Sequence, residues 1–227
     1  MSTLRARRLP RRIRAFLYDF DNTIVGTERM NEELFADLLA GEYGAPVSPP
    51  ERGIIRELPW SGVFEWLSEH KGLSGRRSEI WARFMEVKRE RLRRGPLAVA
   101  TGLDRMLGLP AAHAIVTGSL RDELAMVMTA AGLTDRRFAA ILCAEDYTRG
   151  KPDPEGYLRA LAALSVPADE ALVFEDSRPG IAAAHMAGIP VAFVSELASQ
   201  DLASHADMAF RDLVEAWETV RDRVEVL

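Results

Sequence analysis

The chain has 227 residues, of which 48% are hydrophobic and 28% charged, a composition typical of a globular enzyme with one sizeable core. Its net charge of -5 at pH 7 argues against a general nucleic-acid binder, because affinity for a phosphate backbone requires clustered Lys and Arg. The sequence contains no apolar stretch long enough to span a bilayer, and its single cysteine, Cys143, demands no oxidising compartment, so we expect a cytoplasmic protein without a membrane partner.

The first segment of the chain is strongly basic. Residues 1–12 contain five arginines and are not followed by an apolar run of secretory length. We therefore expect residues 1–12 to form a solvated basic tail.

The first predicted strand covers residues 13–18 and is followed at once by two acids, Asp19 and Asp21. A carboxylate left buried without a partner is costly, so these acids need an explanation. They are compatible with an ordinary turn, since Asp and Asn are frequent turn residues. They are equally compatible with a site that holds a cation.

Residues 27–95 contain no convincing strand. Helical periodicity appears near 29–41, 60–70 and 77–94, with loops predicted at 44–50 and 72–75. We therefore predict a helical cap domain of residues 27–95, inserted into a core domain made of residues 13–26 and 96–227.

Beyond the insertion, short apolar runs alternate with helical patterns. The runs occupy residues 112–117, 139–143, 170–174, 190–194 and, less clearly, 208–210. This alternation predicts an α/β fold with a Rossmann-like parallel sheet covered by helices on both faces. In such sheets ligands bind beyond the carboxyl ends of the strands.

Polar groups follow several of these strands. Thr117, Gly118 and Ser119 follow the second strand, and Glu175 and Asp176 follow the fourth; Lys151 precedes a helix predicted to start at Pro154. Each has a structural reading as well. Ser119 with Asp122 fits a helix capping box, and acids suit the positive end of a helix.

Taken together, these groups indicate phosphoryl transfer. A carboxylate can attack phosphorus only when the negative charges of both partners are neutralised, which requires a hard cation, a lysine and hydroxyl or amide donors. Mg²⁺ is the expected cation, because the candidate ligands are all oxygen atoms.

Four segments resemble the motifs of one family. "YDFDNT", "IVTGS", "GKPDP" and "VFEDSRPGIAAAHMAGIP" appear in the order that is typical of the haloacid dehalogenase superfamily of phosphatases. Within this superfamily, the chain is most similar to sugar- and polyol-phosphate phosphatases and to the related β-phosphoglucomutases. The helical insertion is similar in position to the small cap of these enzymes.

The resemblance implies a role for each site residue. Asp19 would be the nucleophile and a metal ligand. Asp21 would be the general acid and base and would offer its carbonyl to the metal. Asp176 would ligate the metal, with Glu175 nearby. Phosphate would be held by donors from four residues: Asn22, Thr117, Gly118 and Lys151.

The chain departs from the family pattern at three positions. Asn22 replaces a usual glycine, which we expect Asn to tolerate because it accepts the left-handed conformation. Gly26 and Asn31 stand where β-phosphoglucomutases carry a hinge aspartate and a cap histidine. We therefore expect a phosphatase acting on a small phosphorylated metabolite, with a phosphosugar mutase as the alternative.

Two other classes of protein share parts of this pattern. A phosphate-accepting signalling module also combines paired acids, Thr and Lys on a parallel sheet, but its acidic pair precedes the acceptor and it has no helical insertion. A hydrolytic dehalogenase shares the scaffold but needs no metal, which Asp21, Glu175 and Asp176 argue against.

Overall fold

A computed structural model describes residues 9–56, 58, 60–95, 97–198 and 201–225. Residues 1–8 of the predicted basic tail lie outside the described residues. The chain divides into two compact units: one joins the chain up to Gly26 with the chain from Leu97 onward, and the other comprises the residues between them.

The first unit is built on a six-stranded sheet in which every pairing is parallel. The strands are β1 (Ala15–Tyr18), β2 (Ala112–Val116), β3 (Ala140–Leu142), β4 (Ala171–Glu175), β5 (Val191–Val194) and β6 (Met208–Phe210). Their spatial order is β3-β2-β1-β4-β5-β6. This is the strand order of a Rossmann fold, so the predicted fold class is confirmed, and β1 lies at the point where the order reverses.

Nine α-helices are present in the described residues. In chain order they are α1 (Glu28–Tyr43), α2 (Pro49–Arg56), α3 (Trp60–Lys71), α4 (Arg77–Leu92), α5 (Leu103–Leu107), α6 (Arg121–Ala130), α7 (Glu155–Leu164), α8 (Arg178–Met186) and α9 (Leu213–Val220). None of them is both long and apolar enough to cross a membrane.

Both faces of the sheet are buried, as expected when helices cover each side of a parallel sheet. On one face, Leu17 and Val173 belong to a core that includes Tyr157 and Leu161 of α7. On the other face, Tyr18 stacks between the rings of His113 and Phe174. Side chains of β1 alternate between the two faces of the sheet, so the strand is packed on both sides. Polar residues follow only after its carboxyl end.

The helical unit has its own hydrophobic core. Aromatic rings of Phe35, Trp60, Phe64, Trp81 and Phe84 contact one another within it, several of them edge to face. Such pairs contribute roughly 0.5–1.5 kcal/mol each beyond their buried area. The helical residues predicted from periodicity in this segment are therefore stabilised by packing within the unit.

The predicted loop at 44–50 is wrong at its end, because α2 begins at Pro49. Proline is well suited to a first helical turn, where its missing amide hydrogen is not needed. Ser48 and Glu51 provide the start signal: the amide and hydroxyl of Ser48 donate to Glu51 Oε2 at 2.8 and 2.7 Å. This contact is half of a capping box. The two prolines that follow Ser48 favoured the prediction of a loop.

Candidate active site

Asp19 is the first residue after β1, and its amide donates to the carbonyl of Phe174 on β4 at 3.0 Å. Tyr18 pairs in register with Ile115 on β2 and with Phe174. The residues that follow these three parallel strands therefore meet at one edge of the sheet. This is the edge at which sequence analysis placed the chemistry.

Lys151 reaches this edge from the loop before α7. Its Nζ donates to Asp19 Oδ1 at 2.5 Å and to Glu175 Oε1 at 2.6 Å. Burial alone would lower the pKa of Lys151, but these two carboxylates raise the pKa well above its usual value. The ammonium group is therefore held in its charged form between two strand ends.

Glu175 is fully buried and is the most heavily hydrogen-bonded acid of the site. Besides Lys151, its carboxylate accepts from the Tyr157 hydroxyl at 2.7 Å and from the Ser177 hydroxyl at 2.9 Å. The amides of Asp176 and Ser177 donate to its Oε2 at 3.2 Å. Gly180 makes this arrangement possible, because a Cβ at that position would lie 1.8 Å from Glu175 Oε1.

Asp19, Glu175 and Asp176 form a compact acidic cluster. Each offers a carboxylate oxygen, and these oxygens lie within 4.8 Å of one another. Asn22 Nδ2 donates to Asp176 Oδ2 at 3.3 Å. Asn22 has a φ of 59°, which confirms that this position is left-handed and explains why Asn is accepted there.

The electrostatics of the cluster are strongly unfavourable to further negative charge. Burial raises the pKa of Asp19 to about 8; the charges of Glu175 and Asp21 act in the same direction and Lys151 opposes them. Burial, Asp19 and Glu175 likewise raise the pKa of Asp176 well above its usual value. One lysine thus faces four acids. A divalent cation would relieve this repulsion, and carboxylate oxygens are suitable ligands for a hard cation.

Asp21 contacts the loop that follows β2. The Ser119 hydroxyl donates to Asp21 Oδ2 at 2.7 Å. The structural alternative for Ser119, a capping box with Asp122, does not form: α6 begins at Arg121, and its N-cap residue is Leu120, whose side chain makes no capping bond. Asp21 and Ser119 are 98 positions apart in the chain, so no local pattern indicates their contact.

Thr117 is almost fully buried and is held by several hydrogen bonds. Its amide donates to the Leu142 carbonyl at 3.0 Å, and its carbonyl accepts from the Tyr147 hydroxyl at 2.5 Å. Gly118, the next residue, is exposed, and a Cβ there would meet no atom within 4 Å. The loop after β2 therefore turns outward directly after Thr117.

At this edge the hydrogen bonds join most of the predicted site residues in two groups: Asp19, Asn22, Lys151, Glu175 and Asp176 in one, and Asp21 with Thr117, through Ser119, in the other. Sequence reasoning missed three residues that hold these groups in place: Tyr147, Tyr157 and Ser177. The spacing of Tyr157 and Leu161 is typical of one buried helix face, and it gives no indication of a polar contact. Tyr157 does pack in the core beside Leu161, while its hydroxyl reaches Glu175.

The comparisons with known proteins agree with this geometry. Residues 16–194 match the family described as haloacid dehalogenase-like hydrolase. Among curated proteins, the chain is 29% identical over 206 residues to validoxylamine A 7'-phosphate phosphatase of Streptomyces hygroscopicus subsp. limoneus, covering 88% of this chain and 93% of the relative. It is 27% identical to a phosphorylated carbohydrates phosphatase of Thermotoga maritima, covering 77% and 82%.

A solved structure shows the same fold. The crystal structure of CbbY from Rhodobacter sphaeroides in complex with phosphate superposes with a TM-score of 0.79 at 22% identity, covering 89% of this chain and 96% of that chain. The similarity therefore extends through both the sheet-based unit and the helical insertion.

Proposed function

This chain belongs to the haloacid dehalogenase-like hydrolases, and we propose that it is a Mg²⁺-dependent phosphatase that releases inorganic phosphate from small phosphorylated metabolites. The observation that carries the proposal is the position of Lys151. It lies between Asp19 and Glu175, at an edge where Asp176 adds a further carboxylate. A cation and a lysine beside a candidate nucleophile are what attack on a phosphate dianion requires.

The reaction is proposed to proceed in two steps. First, a carboxylate oxygen of Asp19 attacks phosphorus, the bond from phosphorus to the leaving oxygen breaks, and Asp21 gives its proton to that oxygen. Second, Asp21 takes a proton from water, the water oxygen attacks the phosphorus of the aspartyl-phosphate, the bond from phosphorus to the Asp19 oxygen breaks, and inorganic phosphate leaves. Asp19 and Asp21 then return to their starting states.

Other residues hold the phosphate. Lys151 would contact both a phosphate oxygen and Asp19, and the Thr117 hydroxyl, the Gly118 amide and Asn22 would supply further donors. Lys151 lowers the pKa of Asp19, but burial outweighs it and leaves that pKa raised to about 8. A cation bound beside Asp19 would therefore be needed, together with Lys151, to keep the attacking group ionised.

The acidic cluster is proposed to hold Mg²⁺ through Asp19, Asp176 and the main-chain carbonyl of Asp21, with Glu175 close by. When bound, Mg²⁺ would neutralise part of the phosphate charge and orient it toward Asp19. Glu175 has a second task, because its carboxylate accepts hydrogen bonds from Lys151, Tyr157 and Ser177.

The substrate is proposed to be a sugar or polyol phosphate, because one relative is named as a phosphatase of phosphorylated carbohydrates and another as a phosphatase of validoxylamine A 7'-phosphate. We propose that the helical insertion acts as the cap and helps to select this substrate. A mutase must protect its aspartyl-phosphate from water, and the family residues associated with that restraint are replaced here by Gly26 and Asn31. We also propose a cytoplasmic location, since the one cysteine needs no oxidising environment.

The proposal is tested with a panel of hexose, pentose and glycerol phosphates, with and without Mg²⁺, by measuring inorganic phosphate. Asp19→Asn serves as the matched control, because it removes the nucleophile and changes only one oxygen atom to an amide group. Release of phosphate from several of these esters by the wild type and not by the variant supports the proposal. Equal release by both proteins, or none by the wild type across the panel, refutes it.

A further inference from the structure

Ser119 ends the segment "IVTGS", but the family resemblance gives its side chain no role. Its position just before α6 suggests a helix cap, but another residue supplies that contact. The amide of Arg121, the first residue of α6, donates to the Glu145 carboxylate at 3.0 and 3.2 Å. The hydroxyl of Ser119 is therefore not required by the helix.

The Ser119 hydroxyl is held in place by its own backbone. The Ser119 amide donates to Thr117 Oγ1 at 3.0 Å, and the Ser119 carbonyl accepts from the amide of Ala144 at 3.0 Å. These two bonds tie the residue to the loops after β2 and β3. From this fixed point its hydroxyl donates to Asp21 Oδ2 at 2.7 Å.

We propose that Ser119 is a positioning residue that orients the carboxyl group of Asp21 for proton transfer. A protonated carboxyl group carries its proton on one oxygen. A donor already directed at Oδ2 disfavours a proton on that atom, because two hydrogens would then face each other. When Asp21 carries a proton, Ser119 thereby favours Oδ1 over Oδ2 as the atom that holds it, and it holds the carboxyl plane at a fixed angle.

This inference rests on the proposed function, since it refines how Asp21 serves as general acid. It predicts a dependence on the leaving group. An alkoxide leaving group, as in glycerol phosphate, needs a proton as it departs, whereas the nitrophenolate of p-nitrophenyl phosphate leaves readily without one. Loss of the orienting hydrogen bond should therefore slow attack on the first substrate selectively.

The experiment measures phosphoenzyme formation by rapid quench in single turnovers with each of the two substrates and Mg²⁺. Ser119→Ala should slow the step about 10- to 100-fold with glycerol phosphate, a part of the 10²- to 10⁴-fold that a general acid contributes. With p-nitrophenyl phosphate the loss should stay below about 3-fold. Ser119→Thr, which keeps a hydroxyl, should restore most of the rate.

Two further variants make the result interpretable. Ser204→Ala, at an exposed serine of the same unit, should match the wild type with both substrates. In an Asp21→Asn background, Ser119→Ala should cause little additional loss, because the residue to be positioned is already inactive as an acid. Additivity of the two losses would contradict the inference.

The experiment distinguishes failure of the proposed function from failure of the proposed role of Ser119. If the wild type forms no phosphoenzyme from either substrate, the proposed function is wrong and the role of Ser119 falls with it. If the wild type does so but Ser119→Ala slows both substrates equally, or neither, the positioning role alone is refuted. An equal loss would instead indicate a direct contact of Ser119 with the phosphate group.

Discussion

Lys151 Nζ lies 2.5 Å from Asp19 Oδ1, and the two side chains are only 13% and 11% exposed. The residues are 132 positions apart in the chain. An ion pair with so little access to water is weakly screened, so each partner strongly affects the state of the other. The pair therefore serves both the ionisation of the proposed nucleophile and the integrity of the site.

Replacing Lys151 by Met should abolish activity and destabilise the metal-free protein. Removal of one partner from a buried ion pair typically costs about 3–5 kcal/mol, because a buried carboxylate is left without its cation. We expect the free energy of unfolding, measured by urea denaturation, to fall by about 3 kcal/mol, at the lower end of this range. An unchanged urea midpoint would show that the ion pair carries little stability.

The double variant Lys151→Met with Glu175→Gln provides the matched control. The amide of Gln keeps the shape of the Glu175 side chain and removes its charge, so part of the lost stability should return. Activity should not return, since the lysine that contacts phosphate is still missing. Recovery of phosphatase activity in the double variant would mean that Lys151 has no direct catalytic role.

Substitution of Asp19 and of Asp21 should impair different steps of the reaction. Asp19→Asn should form no phosphoenzyme, because the attacking oxygen is lost. Asp21→Asn should form and hydrolyse it slowly, with turnover of an alkyl phosphate reduced about 10²- to 10⁴-fold, the range expected for loss of a general acid or base. Radiolabelled substrate distinguishes them; a labelled Asp19→Asn protein would show that the nucleophile lies elsewhere.

Asp176 should control the affinity for the metal. We expect chelation to abolish activity and added Mg²⁺ to restore it. Asp176→Asn should raise the Mg²⁺ concentration for half-maximal activity by at least about 10-fold, since even residues that only support a metal ligand change affinity by this much. Calorimetric titration with Mg²⁺ tests the same point without turnover. Identical titrations of the two proteins would exclude Asp176 as a ligand.

The raised pKa of Asp19 gives the metal-free protein an unusual dependence on pH. The pKa is about 8 in the folded protein against an ordinary value of 3.8. Between these values the folded protein holds a proton that the unfolded chain has released, so raising the pH favours unfolding. The stability contributed by this proton is therefore present below about pH 4 and is lost as the pH rises toward 8.

Thermal melts from pH 4.5 to 8.5 test this dependence in metal-free protein. We expect Tm to decline with pH more steeply in the wild type than in Asp19→Asn, which cannot ionise at this position. Saturating Mg²⁺ should raise the wild-type Tm more at pH 8 than at pH 5, because the cation compensates the charge that forms. If Tm depends on pH in the same way in the wild type and in Asp19→Asn, the raised pKa of Asp19 is contradicted.

The distinction between phosphatase and mutase can be measured with β-glucose 1-phosphate and a bisphosphate primer. We expect inorganic phosphate to accumulate faster than glucose 6-phosphate, because Gly26 and Asn31 lack the groups associated with protecting the aspartyl-phosphate. Introducing Gly26→Asp is an informative companion, since a Cβ there would meet its nearest atoms only at 3.5 Å or more. Faster formation of glucose 6-phosphate by the wild type would overturn the phosphatase assignment.

Much of the fold could be predicted from local patterns. Apolar runs of three to six residues alternate with helical spacing, and this was sufficient to find all six strands and their parallel arrangement. Helices α2, α5 and α9 were not predicted. The first two residues of α2, 49 and 50, belong to the predicted loop at 44–50. All three are short helices of five to eight residues, in which too few apolar positions repeat to establish a period.

The sequence by itself determined which residues stand at the strand ends and which family they resemble, because strand periodicity and motif order are local properties. Only the tertiary structure decided how those residues are used. Ser119 binds Asp21 and does not cap α6, because Glu145 accepts the hydrogen bond from the first amide of that helix. The charge of Lys151 depends on Glu175, which is itself held by the Tyr157 hydroxyl. These outcomes are competitions for hydrogen bonds among segments far apart in the chain, so they become visible only when the sheet brings the segments together.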